Sequence, residues 1–221
     1  MRATQAYAHP RRGRRRAWAS DNPGNAAARR ELLAAIRDVA ADRLARDAPL
    51  LDCGCGTGWL LSALAEAGVA PDRLHGVDVD PARVESARAR VPGATVAVAD
   101  MTRLPYGDGL FDAVFFVVSL SSMGSREAAH AALKEGRRVL APGGALIVYE
   151  PRLPNPLNRA TVLIGNRDLA AAGVEPTDRR GLTLLPALGR RLGRTTNWSY
   201  PLLLRLPPLR SHRLAVHRKP A

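Results

Sequence analysis

Cysteine and lysine are scarce in this chain, which has two cysteines and two lysines among 221 residues. Cys53 and Cys55 are one residue apart, a spacing poor for a structural disulfide, and no other cysteine is present to complete a four-ligand metal site. We expect both cysteines to be small packing residues, with a reactive thiol pair as the alternative. No cluster of His, Asp and Glu indicates a metal site, so we predict none.

Long apolar runs are also missing. No segment approaches the roughly 18 residues that a membrane-spanning helix needs, and no apolar stretch follows the arginines of residues 11–16, as an export signal would require. The 46% hydrophobic and 24% charged content is typical of a globular protein. The chain is long enough for one domain with a full core. We therefore expect a single-domain, cytoplasmic protein.

Negative charge is scarce at both ends of the chain. The net charge is +7 over residues 1–30, −4 over residues 31–150 and +10 over residues 151–221. Nearly all of the excess is arginine, which a coding bias explains without any ligand. We interpret residues 1–24 as a basic, mobile arm; an anionic membrane surface or acidic partner is the second interpretation and nucleic acid the third. Peripheral membrane contact thus stays open, and the oligomeric state is not predicted.

Strand and helix patterns alternate over a core of residues 25–150. We predict helices over residues 32–44, 57–67, 81–90 and 125–140, and strands over residues 49–52, 74–79, 95–99, 111–119 and 145–149. Asn25 is the candidate N-cap of the first helix. Such apolar strands between amphipathic helices predict a doubly wound α/β fold, a mostly parallel sheet with helices on both faces. Residues 25–221 form one domain in this interpretation.

The segment 151–221 has a less regular pattern, rich in proline and leucine. We expect it to lie on the substrate side and to complete the sheet, with a last strand over residues 212–219. Residues 202–209 are apolar, with arginines around them. We favour a core position for them over an acceptor pocket or a membrane contact.

Three features follow the first three predicted strands, at the sheet edge where such folds bind ligands. Asp-Cys-Gly-Cys-Gly-Thr-Gly (residues 52–58) leaves the first strand, and its glycines allow a tight turn and a close backbone approach. Asp78 ends the second strand, where a carboxylate can accept hydrogen bonds from both hydroxyls of a ribose. Asp100 follows the third strand, where it can accept a hydrogen bond from a purine amine.

The glycine spacing argues against a dinucleotide-binding fingerprint, which needs a small residue at its sixth position. Counting from Gly54, that position is Trp59; counting from Gly56, it is Leu61. Asp52, just before the glycines, would repel a pyrophosphate and suits a cationic group such as an amine.

These motifs resemble those of class I S-adenosylmethionine-dependent methyltransferases. Residues 51–58 resemble the first motif of that family, residues 76–80 the second, residues 98–101 the third, and residues 138–144 the turn before its fifth strand. The resemblance implies S-adenosylmethionine as cofactor and an α/β fold. It also implies a cofactor-binding set of Asp52, Gly54, Cys55, Gly56, Gly58, Asp78, Val79, Asp100, Met101 and Ser119.

The expected reaction is methyl transfer to a small-molecule acceptor, such as a natural product, a lipid-like compound or a sugar, by in-line displacement. An RNA or protein methyltransferase that uses the basic flanks is one alternative; a non-catalytic module that binds the cofactor or an anionic surface is another. No catalytic residue is predicted. If a general base is used, His212 is the preferred candidate among the histidines, because a last strand could bring it back to the sheet. Ser119-Leu-Ser-Ser-Met123 lacks the signature of base N-methylating enzymes, so nucleic acid is disfavoured.

Overall fold

The computed structural model describes residues 22–154 and 161–221. Within these residues one seven-stranded sheet has the order β3-β2-β1-β4-β5-β7-β6. Strands β1 to β5 are parallel, and β7 is antiparallel to both of its neighbours. The strands are β1 (Leu50–Cys53), β2 (Leu74–Asp78), β3 (Thr95–Val98), β4 (Phe111–Val117), β5 (Leu140–Pro151), β6 (Asp178–Leu184) and β7 (Arg210–Arg218).

Eight α-helices accompany the sheet in the described residues: α1 (Pro23–Val39), α2 (Ala41–Leu44), α3 (Trp59–Glu66), α4 (Pro81–Arg90), α5 (Arg126–Val139), α6 (Asn166–Ala171), α7 (Pro186–Gly189) and α8 (Thr196–Leu204). Side chains cap three of their N-termini: Asn22 for α1, Asp80 for α4 and Ser125 for α5. The prediction of Asn25 as the first N-cap is wrong. Proline at the first helical position starts the helix at Pro23, and Asn25 is buried inside it.

Hydrophobic side chains cover both faces of the sheet. Phe115 and Phe116 are fully buried neighbours on β4 that point to opposite faces, because successive strand residues alternate. Phe115 packs in the core on the side of α1, α3 and α4, and Phe116 in the core on the side of α5 and α6. The predicted doubly wound α/β fold is confirmed.

The last strand was predicted over residues 212–219 and is found at Arg210–Arg218, whereas β6 was not predicted. The core position favoured for residues 202–209 is wrong. Leu202 and Leu206 are each 53% exposed, although Leu203 and Leu204 pack inward with Tyr200. Within α8, the helical period separates the exposed Leu202 from Leu203 and Leu204, because one face of the helix packs against α1 and β6 and the other faces outward.

Helix α1, which begins the described part of the chain, packs against elements of its C-terminal segment. It packs against β6, α7 and α8, and at Gly24 it lies directly on the backbone of α7. A Cβ on Gly24 would lie 2.2 Å from the Gly189 carbonyl oxygen. Most of the predicted basic arm, residues 1–21, lies outside the described residues, as do residues 155–160. No helix among the described residues is long and apolar enough to cross a membrane.

Candidate functional site

The loop between β1 and α3 turns through three glycines in the left-handed region. Their φ angles are +79° at Gly54, +55° at Gly56 and +76° at Gly58, which non-glycine residues rarely adopt. The backbone N–H groups of Gly54 and Cys55 both donate to the Val77 carbonyl oxygen, at 2.8 and 2.9 Å. The loop is therefore attached to the carboxyl end of β2.

The three glycines face different surroundings. A Cβ on Gly54 would lie 2.6 Å from Cβ of Ser119 and 3.2 Å from Cε of Met101, so the loop touches the ends of β3 and β4 here. A Cβ on Gly58 would lie 3.0 Å from Ala87 on α4. A Cβ on Gly56 would meet no atom within 4 Å. Gly56 thus presents bare backbone to open space, as a cofactor cradle requires.

Asp78 connects this loop to β2. Its Oδ2 accepts a hydrogen bond from Gly56 N–H at 2.9 Å, and its Oδ1 accepts one from Asp80 N–H at 3.0 Å. The side chain is 5% exposed, with the Arg83 guanidinium 4.0 Å away. A carboxylate has about four acceptor positions, so its two oxygens retain capacity for two further donors. Two ribose hydroxyls would match that capacity.

Asp52 lies at the end of β1 beneath the loop and is 3% exposed. Complete burial, together with the neighbouring Asp78 carboxylate, raises the pKa of Asp52 to about 7. A cation close to such a buried carboxyl stabilises its ionised form, because it compensates the charge that burial makes unfavourable. The amino group of a methionine portion is such a cation, and the predicted role of Asp52 fits this geometry.

The predicted site residues that follow β2 and β3 differ in how far they are exposed. Asp100 is exposed, and its Oδ1 accepts hydrogen bonds from the N–H and the hydroxyl of Thr102, both at 2.8 Å. Met101 is buried against Gly54, and Val79 is half-buried after β2. Within the predicted set, Gly54 contacts Met101 and Ser119, and Gly56 bonds to Asp78, whereas Asp100 stabilises its own turn at the rim.

Ser119 and Glu150 complete the floor of the site. Ser119 is buried, and its hydroxyl oxygen has no hydrogen-bond partner among the described residues. Glu150 on β5 accepts hydrogen bonds from the N–H groups of Leu120 at 2.8 Å and Ser121 at 3.3 Å. Burial raises the pKa of Glu150 to about 7 against the lowering effect of these bonds. The open space at Gly56 and the unsatisfied Ser119 hydroxyl both fit a bound polar ligand.

His212 lies at the carboxyl end of the sheet, as its predicted strand implied. Its ring stacks on Tyr149 with centroids 4.8 Å apart, and its Nδ1 is 2.8 Å from the Ser211 hydroxyl. The Ser211 hydroxyl is also 2.9 Å from the Thr183 carbonyl oxygen, which can only accept, so we assign its proton to that bond and the Nδ1 proton to the bond with Ser211. The lone pair is therefore on Nε2. Burial lowers the pKa of His212 to about 4, which keeps the ring neutral near pH 7.

Within residues 22–154 and 161–221, two non-glycine residues have positive φ, and both lie at this same edge of the sheet. They are Val118, with φ of +54° directly after β4, and Thr183, with φ of +61° near the end of β6. Strained residues persist where their surroundings fix them, and they cluster at functional sites. The Thr183 N–H donates to the Glu31 carboxylate, and the Thr183 hydroxyl forms a short hydrogen bond with the Tyr149 hydroxyl. Sequence patterns do not reveal such strain.

The other histidines in the described part of the chain have structural surroundings. His130 contacts the Asp168 carboxylate at 3.1 Å between α5 and α6, and His217 Nδ1 contacts the Glu175 carbonyl oxygen at 2.9 Å. His75 packs edge-on against Tyr106 and Phe111. Cys53 and Cys55 are buried free thiols, in agreement with the predicted packing role. No group of three or more potential ligands in the described residues could hold a metal ion.

A doubly wound sheet with a glycine turn after β1 and a carboxylate after β2 defines a Rossmann-like nucleoside-binding domain. Residues 51–148 match the family model described as "Methyltransferase domain". The solved structure of N-methyltransferase NodS from Bradyrhizobium japonicum WM9, in complex with S-adenosyl-L-homocysteine, superposes with a TM-score of 0.66. It is 19% identical and covers 91% of this chain and 90% of that one, so it shows the fold alone.

Curated relatives match over the same domain. Demethylmenaquinone methyltransferase of Beutenbergia cavernae is 34% identical over 139 residues, 58% of this chain and 55% of that protein. Probable tRNA methyltransferase 9B of Mus musculus is 38% identical over 98 residues, 44% of this chain and 20% of that protein. The chain thus spans between a fifth and about half of the length of these relatives. Residues 51–148 are a methyltransferase domain of the class I S-adenosylmethionine-dependent type, and S-adenosylmethionine is the cofactor of such domains.

Proposed function

We propose that this protein transfers the methyl group of S-adenosylmethionine to a small-molecule acceptor. The observation that carries the proposal is the cradle around Gly56, where bare backbone in open space is hydrogen-bonded to the Asp78 carboxylate, which has the buried Asp52 carboxyl as its neighbour. When bound, the cofactor supplies an electrophilic methyl carbon on a sulfonium. The protein has to hold this group in line with the acceptor and exclude water, which can lower the barrier by roughly 7–11 kcal/mol.

Each cradle residue has a distinct task in this proposal. Asp78 accepts hydrogen bonds from the ribose hydroxyls, and its existing bond to Gly56 N–H fixes the carboxylate for that role. Asp52 compensates the charge of the amino group. Asp100 and the Met101 backbone bind the adenine at the rim, and the buried Ser119 hydroxyl supplies a polar contact below the glycine loop. Cys55, Gly58 and Val79 shape the walls.

The acceptor end of the site lies toward β5, β7 and β6. The neutral His212 ring keeps a lone pair on Nε2, so this residue can accept a proton from a hydroxyl or amine acceptor. Tyr149 and Ser211 hold the ring in place by stacking and by hydrogen bonding. The relative from Beutenbergia cavernae, named for a quinone-type compound, supports a lipophilic small acceptor. The cytoplasmic location expected from the sequence stays a prediction.

RNA is the second candidate acceptor. The relative named as a probable tRNA methyltransferase and the +10 net charge of residues 151–221 both favour it. RNA binding through phosphates would weaken steeply with salt, whereas turnover of a small neutral acceptor would not. Transfer of radiolabelled methyl groups to tRNA, with little transfer to a panel of quinones, phenols and amines, would make RNA the preferred acceptor class.

Asp78→Asn tests the cofactor site, with Asp80→Asn as its matched control two residues away. We expect Asp78→Asn to weaken S-adenosylmethionine binding about 10- to 100-fold, because hydrogen bonds to a charged group contribute roughly 1.5–3 kcal/mol. Asp80→Asn should bind like the wild type, because asparagine caps α4 as well as aspartate does. Isothermal titration calorimetry measures both affinities. Equal affinity of the three proteins, or a comparable response to NAD, would contradict the proposed site.

A further inference from the structure

The outer face of α8 carries an unusual set of side chains for a surface helix. Trp198 is 65% exposed, and Leu202 and Leu206 follow at intervals of four residues, each 53% exposed. Residues four apart lie on one side of a helix, so Trp198 and Leu202 share one side of α8, and Leu206 follows two residues beyond the helix end at Leu204. Among the described residues the other exposed large hydrophobic residues, Val98, Leu110 and Val118, are less exposed (39–51%), and they lie at strand ends and in a loop. We call these three residues the α8 stripe.

The α8 stripe is not part of an incompletely packed core. The opposite face of the helix already packs inward through Tyr200, Leu203 and Leu204, in a cluster with Ala27 of α1 and Leu184 of β6. Tyr200 also donates a hydrogen bond from its hydroxyl to Glu31 at 2.9 Å. The helix is therefore anchored on one side and apolar on the other, which marks the outer side as an interaction surface.

The charge around the α8 stripe selects the kind of partner. Residues 179–221 contain ten Arg and Lys residues and no Asp or Glu. Arg194 lies four residues before Trp198, and Arg205 lies next to Leu206. Both are exposed, and neither forms an ion pair with any described residue. Exposed apolar side chains with unpaired arginines beside them match the boundary of an anionic bilayer, where the apolar side chains enter the acyl region and the guanidinium groups meet the phosphates.

We propose that the α8 stripe, with Arg194 and Arg205, docks the protein on an anionic lipid membrane. Leucines in the stripe favour a bilayer over RNA, since a nucleic acid offers them no apolar layer to enter. The surface also adjoins the acceptor end of the site, because Tyr200 on the inner face of α8 binds Glu31, which in turn holds Thr183. Docking here would bring the carboxyl edge of the sheet close to a lipid-dissolved acceptor. The inference depends on the exposed surface and holds whichever acceptor is methylated.

The test is co-sedimentation of the full chain with vesicles of phosphatidylcholine alone or mixed with phosphatidylglycerol. We expect binding to the mixed vesicles and little binding to phosphatidylcholine. Trp198→Ser combined with Leu202→Ser should reduce binding roughly tenfold or more, because the apolar contact is lost. Arg194→Gln combined with Arg205→Gln should reduce it by roughly fivefold for each charge removed.

Matched controls keep this test independent of folding and of the basic residues elsewhere in the chain. Leu110→Ser removes another exposed leucine, and Arg90→Gln removes an exposed arginine of α4 at the other end of the sheet; both should bind as the wild type does. Unchanged thermal unfolding and unchanged cofactor affinity would show that the stripe variants are folded. Unaltered vesicle binding by the stripe variants would overturn the proposal. So would a concentration-dependent dimer lost with the stripe, or tight RNA binding without vesicle binding.

Discussion

Two buried aspartates of this protein have opposite surroundings. Asp112 on β4 is 6% exposed and pairs with the guanidinium groups of Arg43 at 3.3 Å and Arg46 at 3.4 Å. Asp52 on β1 is equally buried, but its charged neighbour is the Asp78 carboxylate, and its pKa is raised to about 7. One charge is therefore compensated within the fold, whereas the other is not.

Asp52→Asn should stabilise the cofactor-free protein at high pH. The folded pKa of Asp52 lies above its unfolded value of 3.8, so its stabilising contribution is complete below pH 3.8 and is lost as the pH rises to 7. The neutral variant escapes that loss. We expect it to gain on the order of 2–4 kcal/mol over the wild type between pH 4 and pH 8, and to bind S-adenosylmethionine more weakly. Urea unfolding at the two pH values and calorimetry measure these effects.

Asp112→Asn is the control for that substitution, since it removes the buried carboxylate partner of Arg43. It should cost about 2–4 kcal/mol in the free energy of unfolding at pH 8, because a buried guanidinium is left with only the half-exposed Asp42. If both variants lose stability at pH 8, the unfavourable charge assigned to Asp52 is wrong.

At the scale of elements, one side chain of β5 holds the segment that follows β4. Glu150 binds the N–H groups of Leu120 and Ser121, at the start of the 3₁₀ turn Leu120–Ser122. Glu150→Ala would leave both buried donors without a partner, at a cost of about 1–3 kcal/mol each. We expect faster hydrogen exchange at these two amides and a lower methyl-transfer rate, since Ser119 and Val118 lose their fixed position.

Leu104 provides an internal reference for this exchange measurement. Its N–H donates to Glu135 Oε2 at 2.9 Å, so a carboxylate on α5 holds the loop after β3. Protection of Leu104 should not change in Glu150→Ala. Equal loss of protection at Leu104 and Leu120 would indicate general destabilisation instead of a local role for Glu150.

The elements that could be predicted from the sequence are those with a strong local pattern. Strands β1, β2, β4 and β5 are buried along most of their length and are therefore largely apolar, and the edge strand β3 keeps an apolar run although it is partly exposed. Strand β6 was missed because Asp-Arg-Arg-Gly, its first half, has no apolar face; this edge strand pairs with β7 alone. Helix α8 was misjudged because leucines in an outward stripe have the composition of a core.

The candidate site also contains some features that the sequence predicts and others that it does not. The glycine turn and Asp78 could be found because they follow predicted strands at a regular spacing. The support given by Glu150 and the stacking of His212 on Tyr149 could not, since both depend on which residues are opposite each other across the sheet. His212 and Tyr149 meet only because β7 runs antiparallel to β5 and places Pro151 opposite His212.

At the scale of the whole molecule, Gly24 fixes how the first helix lies on the C-terminal segment. A Cβ there would lie 2.2 Å from one backbone atom of Gly189 and 2.4 Å from another, and the Asn22 side chain also reaches the Arg190 carbonyl oxygen. Backbone atoms cannot rotate away as a side chain can. The contact therefore depends on the absence of a side chain at this position.

Gly24→Ala should lower the free energy of unfolding by roughly 1–3 kcal/mol, although alanine is the better helix former. Gly107→Ala is the matched control, because a Cβ there meets nothing within 4 Å and the backbone φ is ordinary. It should be neutral or slightly stabilising. Thermal denaturation separates the two variants, and a Gly24→Ala protein as stable as the wild type would show that α1 and α7 do not pack this closely.

The antiparallel position of β7 has an evolutionary consequence. The family match ends at residue 148, inside β5, so the matched residues carry the parallel strands and the glycine turn, and the pair β6–β7 lies beyond them along one border of the sheet. Under the proposed function, mutations in that pair would alter the acceptor end of the site without disturbing the glycine turn. A lineage could thus acquire new substrates by varying the last forty or so residues, and chimaeras exchanged at β5 offer a direct route to redesigning specificity.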